Sequence, residues 1–242
     1  MLAGCGGTSG SGSKTAPVVE PKLGAKVTCT PGSVEPLRTG TLAYAGIAPD
    51  GAVAYRTPGG AVARAFGKTN ANGYPTVFGV LGAVVDGRCQ RTWYRVQLPI
   101  RPNGATGYVR AEALRLERVT TRIVVDISAR RLMFYRRGAL VLSATVAVGS
   151  QATPTPTGRY YINQRLVPSD RNGPFGPGAL GISAFSNVLT GWVQGGPIAI
   201  HGTNEPWSIG KAASNGCIRL PNTTLEQLFR VADAGTPVVI RA

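Results

Sequence analysis

The sequence predicts a mainly β protein with two domains, and three observations lead to this prediction. Short runs rich in Val, Ile, Tyr and Thr alternate with turn residues along most of the chain, which contains 33 glycines and 18 prolines. A hydrophobic content of 43% over 242 residues is enough for one large core or two modest ones. Only one segment, close to the C-terminus, has the apolar period of a helix.

Residues 1–34 are expected to form a start segment and a flexible linker. Residues 6–34 are rich in Gly, Ser, Thr, Pro and Lys, and cannot offset the entropy cost of ordering. The letters LAGC that end at Cys5 resemble the lipobox of bacterial lipoproteins, whose cysteine is lipidated. The resemblance implies export to the cell envelope and a lipid anchor at the outer face of the cytoplasmic membrane, or a place in the periplasmic space. A signal peptide's basic and apolar regions are missing, so we expect the true start upstream. The alternative is a low-complexity tail with an incidental thiol.

Residues 35–119 contain six short strand-like runs separated by turn signals such as TPGG, NANG and PNG, which predicts a small barrel. The segment WYRVQLPIRPNGATGYVRAEALRL resembles bacterial SH3-like domains. The resemblance implies either contact with wall peptide or glycan, or a spacer role. Cys29 and Cys89 flank this region, and in an exported chain they could form a disulfide or stay as two buried thiols.

Residues 120–242 begin a second sheet, in which RRLMFYRRGALVLSATVAVG predicts a hairpin with its turn at Arg137 and Gly138. Near the end, NTTLEQLFRVADAG predicts one helix, because its apolar residues fall at helical spacing. These residues are Leu225, Leu228, Phe229 and Ala232. We expect Asn222 or Thr223 to cap the helix, Glu226 to complete a capping box, and Gly235 to end it.

The only histidine of the chain, His201, ends a predicted buried strand, PIAIH, and lies sixteen positions before Cys217. A thiol attacks carbonyl groups as the thiolate, so a nucleophilic cysteine needs a base or cation nearby. Histidine is the usual base. In SNGC, the amides of Gly216 and Cys217 could form an oxyanion hole, worth roughly 3 to 4 kcal/mol per donor. Taken singly, each residue could be structural. A zinc site lacks its third and fourth ligands, so no metal or other cofactor is expected.

The motifs IHGT and SNGCIRL resemble the active-site signature of bacterial L,D-transpeptidases, and the similarity continues through residues 120–242. It implies that Cys217 attacks the carbonyl of the third residue of a peptidoglycan tetrapeptide stem and releases D-Ala. An amine of a second stem then resolves the thioester and forms a crosslink. By position, His201 is the general base and acid, and the Gly202 carbonyl or a nearby hydroxyl orients it.

The same resemblance suggests a set of substrate-binding residues. Arg219 could bind a substrate carboxylate or brace the turn, and Trp207 could pack beside His201. Asn215 stands where most family members have histidine, so the base function falls on His201 alone. The run RNGPFGPG could be a lid or only a surface loop. The predicted substrate-binding set is Arg219, Asn215, Ser214, Thr203, Trp207, Thr157 and Gly158.

The formal charge of +15 comes from 26 basic and 11 acidic residues, and the basic residues are scattered rather than grouped in a nucleic-acid-binding motif. Nucleic acid is therefore not an expected partner. The L,D-transpeptidase resemblance implies peptidoglycan stem peptides as partners, and no pattern predicts an oligomeric state. Two other functions stay open. Water could resolve the thioester, as in an L,D-carboxypeptidase or another stem hydrolase, or the protein could be a non-catalytic wall binder.

Overall fold

The computed structural model describes residues 29–242. Cys5, the lipobox-like start and most of the predicted linker lie outside the described residues. Within residues 29–242, no helix has the length and hydropathy that a membrane span requires.

The first half of the described chain is an antiparallel sheet of eight strands. The strands are β1 (Val34–Pro36), β2 (Ala43–Ile47), β3 (Ala52–Tyr55), β4 (Val62–Phe66), β5 (Val77–Val85), β6 (Arg91–Gln97), β7 (Thr106–Arg110) and β8 (Arg115–Val119). Their order is β4-β3-β7-β6-β5-β2-β8, and β1 pairs with β5. A 3-10 turn, Ala111–Ala113, separates β7 from β8. The SH3-like assignment of this part stays a prediction.

Phe78, Val80, Val96 and Val109 are buried at the centre of this half, where alternate residues of the strands face inward. Cys29 and Cys89 form a disulfide that joins positions 60 apart in the sequence. The pairing that the sequence left open is therefore present in the structure.

The second half contains a mixed sheet of eight strands and a separate pair. The strands are β9 (Thr121–Asp126), β10 (Arg131–Arg136), β11 (Ala139–Thr145), β12 (Val148–Gly149), β13 (Gly158–Leu166), β14 (Ala179–Phe185), β15 (Pro197–His201), β16 (Ala212–Ser214), β17 (Ile218–Arg219) and β18 (Pro237–Arg241). The large sheet has the order β11-β10-β9-β18-β13-β14-β15-β17, and β12 pairs with β16. The predicted hairpin turn is confirmed, because Arg137 and Gly138 join β10 to β11 with positive φ angles of 50° and 87°.

The predicted helix is present as α1, Asn222–Val231, and it buries Leu225 and Leu228 against the core, which also includes Ala232 directly after the helix. The capping prediction was wrong. Pro221 is the N-cap residue, and no side chain in residues 29–242 caps the helix. The reason is that Asn222 Oδ1 accepts a hydrogen bond from the Thr203 N–H at 2.7 Å, while Glu226 pairs with Arg171. The helix ends at Val231, four residues before Gly235.

The two halves pack directly against each other. The Tyr161 ring of β13 is buried, and its hydroxyl donates to the Val77 carbonyl of β5 at 3.0 Å. A Cβ at Gly79 would lie 2.8 Å from Tyr161 Cδ1, so a glycine at this position is what admits the ring. Gln97 also donates to the Arg159 carbonyl at 2.8 Å. The contact is therefore both apolar and polar.

Candidate active site

The register of two parallel strands brings the histidine and the free cysteine to one edge of the large sheet. In the pairing of β15 with β17, Ile200 lies opposite Ile218, and His201 lies opposite Arg219. Cys217 immediately precedes β17, so its backbone lies alongside Ala199 of β15. Cys217 thus lies directly before the strand that pairs with the strand ending at His201, although the two residues are sixteen positions apart in the chain.

His201 is buried, with 4% of its surface exposed, and its ring is held in one orientation. Nδ1 lies 2.5 Å from the Gly202 carbonyl oxygen, which can only accept a hydrogen bond. The proton of the neutral ring is therefore on Nδ1, and Nε2 keeps a lone pair that can accept a proton. Burial lowers the pKa of His201 to about 4, and the positive charge of Arg219 also lowers it, while the Gly202 hydrogen bond opposes the shift.

Cys217 is half-buried and is a free thiol. Burial raises the pKa of this thiol, while a hydrogen bond with the Ala199 backbone and the positive charge of Arg219 act in the opposite direction. With the histidine pKa lowered and the thiol pKa raised, both groups are uncharged at neutral pH. The resting site is therefore a neutral thiol beside a neutral imidazole.

The turn that carries the cysteine is fixed by two hydroxyl groups. The Ser214 hydroxyl donates to the Cys217 carbonyl at 2.5 Å and accepts from the Gly216 N–H at 3.1 Å. Thr155 donates to the Gly216 carbonyl and accepts from Gly149, each at 2.8 Å. Gly216 has a φ of +110°, a conformation that other residues rarely adopt. Because the Gly216 amide is already bound to Ser214, the Cys217 amide is the better placed oxyanion donor.

The loop after His201 is anchored to the start of α1. The Gly202 N–H donates to the Gly178 carbonyl at 3.3 Å, and the Thr203 N–H donates to Asn222 Oδ1 at 2.7 Å. Thr203 Oγ1 accepts from the Glu205 N–H at 2.9 Å. Thr203 is buried, so its observed contacts hold the loop rather than face an open groove.

Arg219 is braced from the same loop. Its Nη1 forms a short ion pair with Glu205 and lies 3.3 Å from Ser208 Oγ, while its Nε is buried without a partner among residues 29–242. Of the two roles predicted for Arg219, these contacts favour the brace. Its charge also acts on both His201 and Cys217, as their pKa shifts show.

The aromatic ring beside His201 is Phe175 and not Trp207. The Phe175 and His201 rings meet edge to face, with 5.0 Å between their centroids. Trp207 is 61% exposed and lies under the Lys211 ammonium group at 5.2 Å. Trp207 follows His201 closely in sequence, but the 3-10 turn Pro206–Ser208 places it in this exposed position.

Three other predicted residues form no hydrogen bond or ring contact with the His201 and Cys217 side chains. Asn215 is exposed at the tip of the cysteine turn. Thr157 is exposed and accepts a hydrogen bond from the Tyr160 hydroxyl at 2.9 Å, while Gly158 begins β13 and pairs with Ile240. Their substrate-binding roles stay predictions.

Sequence reasoning missed Phe175 as the partner of the histidine ring and Glu205 as the partner of Arg219. Phe175 lies in the RNGPFGPG run, and the only sequence feature that pointed to this run was its possible role as a lid. Glu205 is the one acidic residue between His201 and Cys217, so the sequence did offer a signal for the acidic partner of Arg219.

Within residues 29–242, no three His, Cys, Asp or Glu side chains are grouped to hold a metal ion.

These features define a β-rich domain in which an oriented histidine ends one strand and a free cysteine directly precedes the neighbouring strand. Residues 120–240, half of the chain, match the model of the YkuD family, the L,D-transpeptidase catalytic domain. The chain therefore belongs to the YkuD family of L,D-transpeptidase catalytic domains. The resemblance of IHGT and SNGCIRL to the L,D-transpeptidase signature is thereby confirmed.

The curated relatives match the same half. The YkuD protein of Bacillus licheniformis, named as an L,D-transpeptidase, is 39% identical over 119 residues, which cover 49% of this chain and 64% of that protein. Its namesake in Bacillus subtilis is 37% identical over 118 residues, with the same coverage. The chain thus spans less than two thirds of the length of these relatives. Among solved structures, L,D-transpeptidase 3 from Mycobacterium tuberculosis aligns with 70% of this chain and 92% of its own, at 14% identity and a TM-score of 0.43.

Proposed function

We propose that this protein is a peptidoglycan L,D-transpeptidase in which Cys217 is the nucleophile and His201 is the general base. One observation carries the proposal. The lone histidine of the chain is held with its Nδ1 proton on a backbone carbonyl, on the strand next to the free cysteine. Family membership gives the reaction class, and this geometry supports the assignment of the two residues.

In the first half-reaction, His201 Nε2 takes the thiol proton as the sulfur attacks the carbonyl carbon of the third residue in a tetrapeptide stem. The negative oxygen that forms is stabilised by the Cys217 N–H. When the intermediate collapses, the bond to D-Ala breaks, and His201 returns the proton to the leaving amine. The product is a thioester on Cys217.

In the second half-reaction, a side-chain amine of another stem attacks the thioester, and His201 takes a proton from that amine. The carbon–sulfur bond breaks, the thiol is regenerated, and an amide joins the two third residues. No external energy source is needed, because one amide bond is broken for each amide bond formed. The scheme requires a histidine without a proton on Nε2 before the attack, and the lowered pKa of His201 keeps its ring neutral at neutral pH.

The rest of the chain fits an envelope location in this proposal. Residues 1–34 would supply a lipid anchor at Cys5 and a tether, residues 35–119 an SH3-like domain that contacts wall peptide or glycan, and residues 120–242 the catalytic domain. The disulfide between Cys29 and Cys89 supports an oxidising compartment, since such bonds are rare where thiols are kept reduced.

The test is to incubate the full chain with tetrapeptide stems and to analyse the products by mass spectrometry. We expect release of D-Ala together with crosslinked dimers. Cys217→Ala should abolish both, whereas Arg131→Gln, an exposed change on β10, should abolish neither. Release of D-Ala without dimers would favour hydrolysis of the thioester, and an active Cys217→Ala protein would refute the assignment of the nucleophile.

A further inference from the structure

A cavity of about 370 Å³ lies at the junction of the two halves and is lined by three arginines. Arg38 comes from the segment that leads into β2, Arg122 from β9 and Arg159 from β13. Both halves of the chain therefore contribute to its wall. It lies outside the histidine and cysteine site, because neither residue lines it.

The three arginines have no acidic partner within residues 29–242. No aspartate or glutamate is among the residues that line the cavity, and the six ion pairs of this part of the chain involve other basic residues. The positive charges of Arg159 and Arg122 add to the effect of burial in lowering the pKa of Arg38. Three like charges thus share one concave site without compensation.

The polar groups around the cavity are also arranged to donate. The Arg122 guanidinium stacks over the Tyr135 ring at 4.7 Å, and its Nε is buried without a partner among the described residues, so its terminal N–H groups are the part that can reach a ligand. Thr39 Oγ1 accepts the Leu42 N–H at 3.0 Å and the Thr41 N–H at 3.3 Å, which leaves its hydroxyl proton free to donate. The site therefore offers guanidinium and hydroxyl donors together.

We propose that this cavity binds a phosphate group and that the bound phosphate bridges the two halves of the protein. A phosphate monoester or inorganic phosphate carries close to two negative charges and several acceptor oxygens, which match three guanidinium groups better than a single carboxylate does. The phosphate could be a free ion or part of an esterified polymer, and both present the same chemistry to the arginines. The proposal is independent of the reaction at Cys217.

Binding to the full chain is measured by calorimetry at neutral pH and constant ionic strength. Inorganic phosphate and glycerol 3-phosphate are the two ligands, and acetate is the monocarboxylate control. We expect saturable binding of phosphate, with acetate much weaker. Tighter binding of glycerol 3-phosphate would identify an esterified source, and tighter binding of the inorganic ion would identify a free one.

Arg159→Gln and Arg122→Gln should each weaken phosphate binding by roughly tenfold or more, because each removes charge-assisted hydrogen bonds. Arg159→Lys should restore part of the affinity, while Arg131→Gln, with the same charge change on an exposed part of β10, should bind like the unmodified protein. Arg159 is exposed, so its variants are expected to fold, and without phosphate Arg159→Gln should unfold at the same temperature or higher. Phosphate binding no stronger than chloride, or equal in Arg159→Gln and the unmodified protein, would overturn the proposal.

Discussion

At the scale of single residues, the central feature is His201, whose ring stays neutral at pH values well below the ordinary pKa of histidine. Burial lowers the pKa of His201 to about 4, while the unfolded chain has a histidine pKa near 6.5. Between these values the unfolded state binds more protons than the folded state. The free energy of unfolding contributed by this group is therefore complete above the unfolded pKa and decreases as the pH falls towards 4.

We predict that His201 contributes ~3 kcal/mol to the loss of stability between pH 6.5 and 4. Urea unfolding of the unmodified protein and of His201→Gln across this range measures the contribution. The unmodified protein should have the steeper dependence, since the two proteins have all other titratable groups in common. Parallel pH curves for the two proteins would contradict the lowered pKa.

Ser214 is one of the two residues whose hydroxyl groups hold the cysteine turn. Its buried hydroxyl bonds both the Cys217 carbonyl and the Gly216 N–H, so Ser214→Ala leaves two backbone groups without this partner. We expect a loss of about 2 kcal/mol in the free energy of unfolding. Asn215→Ala is the matched change at the exposed next position and should cost no more than about 0.5 kcal/mol. Equal losses would show that the serine does not hold the turn.

At the scale of elements, the loop between β13 and β14 places the Phe175 ring against the His201 ring and so shields it from water. Phe175→Ala should admit water to His201 and raise its pKa from about 4 towards the ordinary value. NMR titration of the ring protons measures this shift. Val167→Ala, at an exposed position in the same loop, should leave the titration unchanged. An unaltered histidine pKa in Phe175→Ala would show that the loop is not the source of the burial.

At the scale of the whole molecule, the disulfide between Cys29 and Cys89 cross-links the first half of the chain, whereas His201 and Cys217 belong to the second half. By the loop-entropy relation, a bond that closes about 60 residues contributes about 4 kcal/mol. We predict that Cys29→Ser combined with Cys89→Ser lowers the unfolding temperature but preserves acylation of Cys217 when assayed well below that temperature. Thermal unfolding and intact mass measure the two effects. Loss of acylation in the folded double variant would mean that the disulfide also shapes the active site.

The sequence predicted the parts of this molecule that depend on local pattern. Alternating residues predicted the β10–β11 hairpin, helical spacing predicted α1, and the pair of His201 and Cys217 followed from chemistry that needs both residues. The cap of α1 could not be predicted, because Asn222 is used by Thr203, a contact that only the folded chain creates. Phe175 likewise reaches His201 across 26 positions, so nothing in the local pattern marks it.

The most direct test of the whole account is the rate at which Cys217 is acylated, followed by intact mass with a carbapenem as the acylating reagent. The unmodified protein should gain one adduct on Cys217, and Cys217→Ala should gain none. His201→Ala should react at least about 100-fold more slowly, because general base catalysis of this kind contributes at least that factor. An adduct on another residue would contradict the assignment of Cys217 as the nucleophile, and an unchanged rate in His201→Ala would contradict the assignment of His201 as the general base.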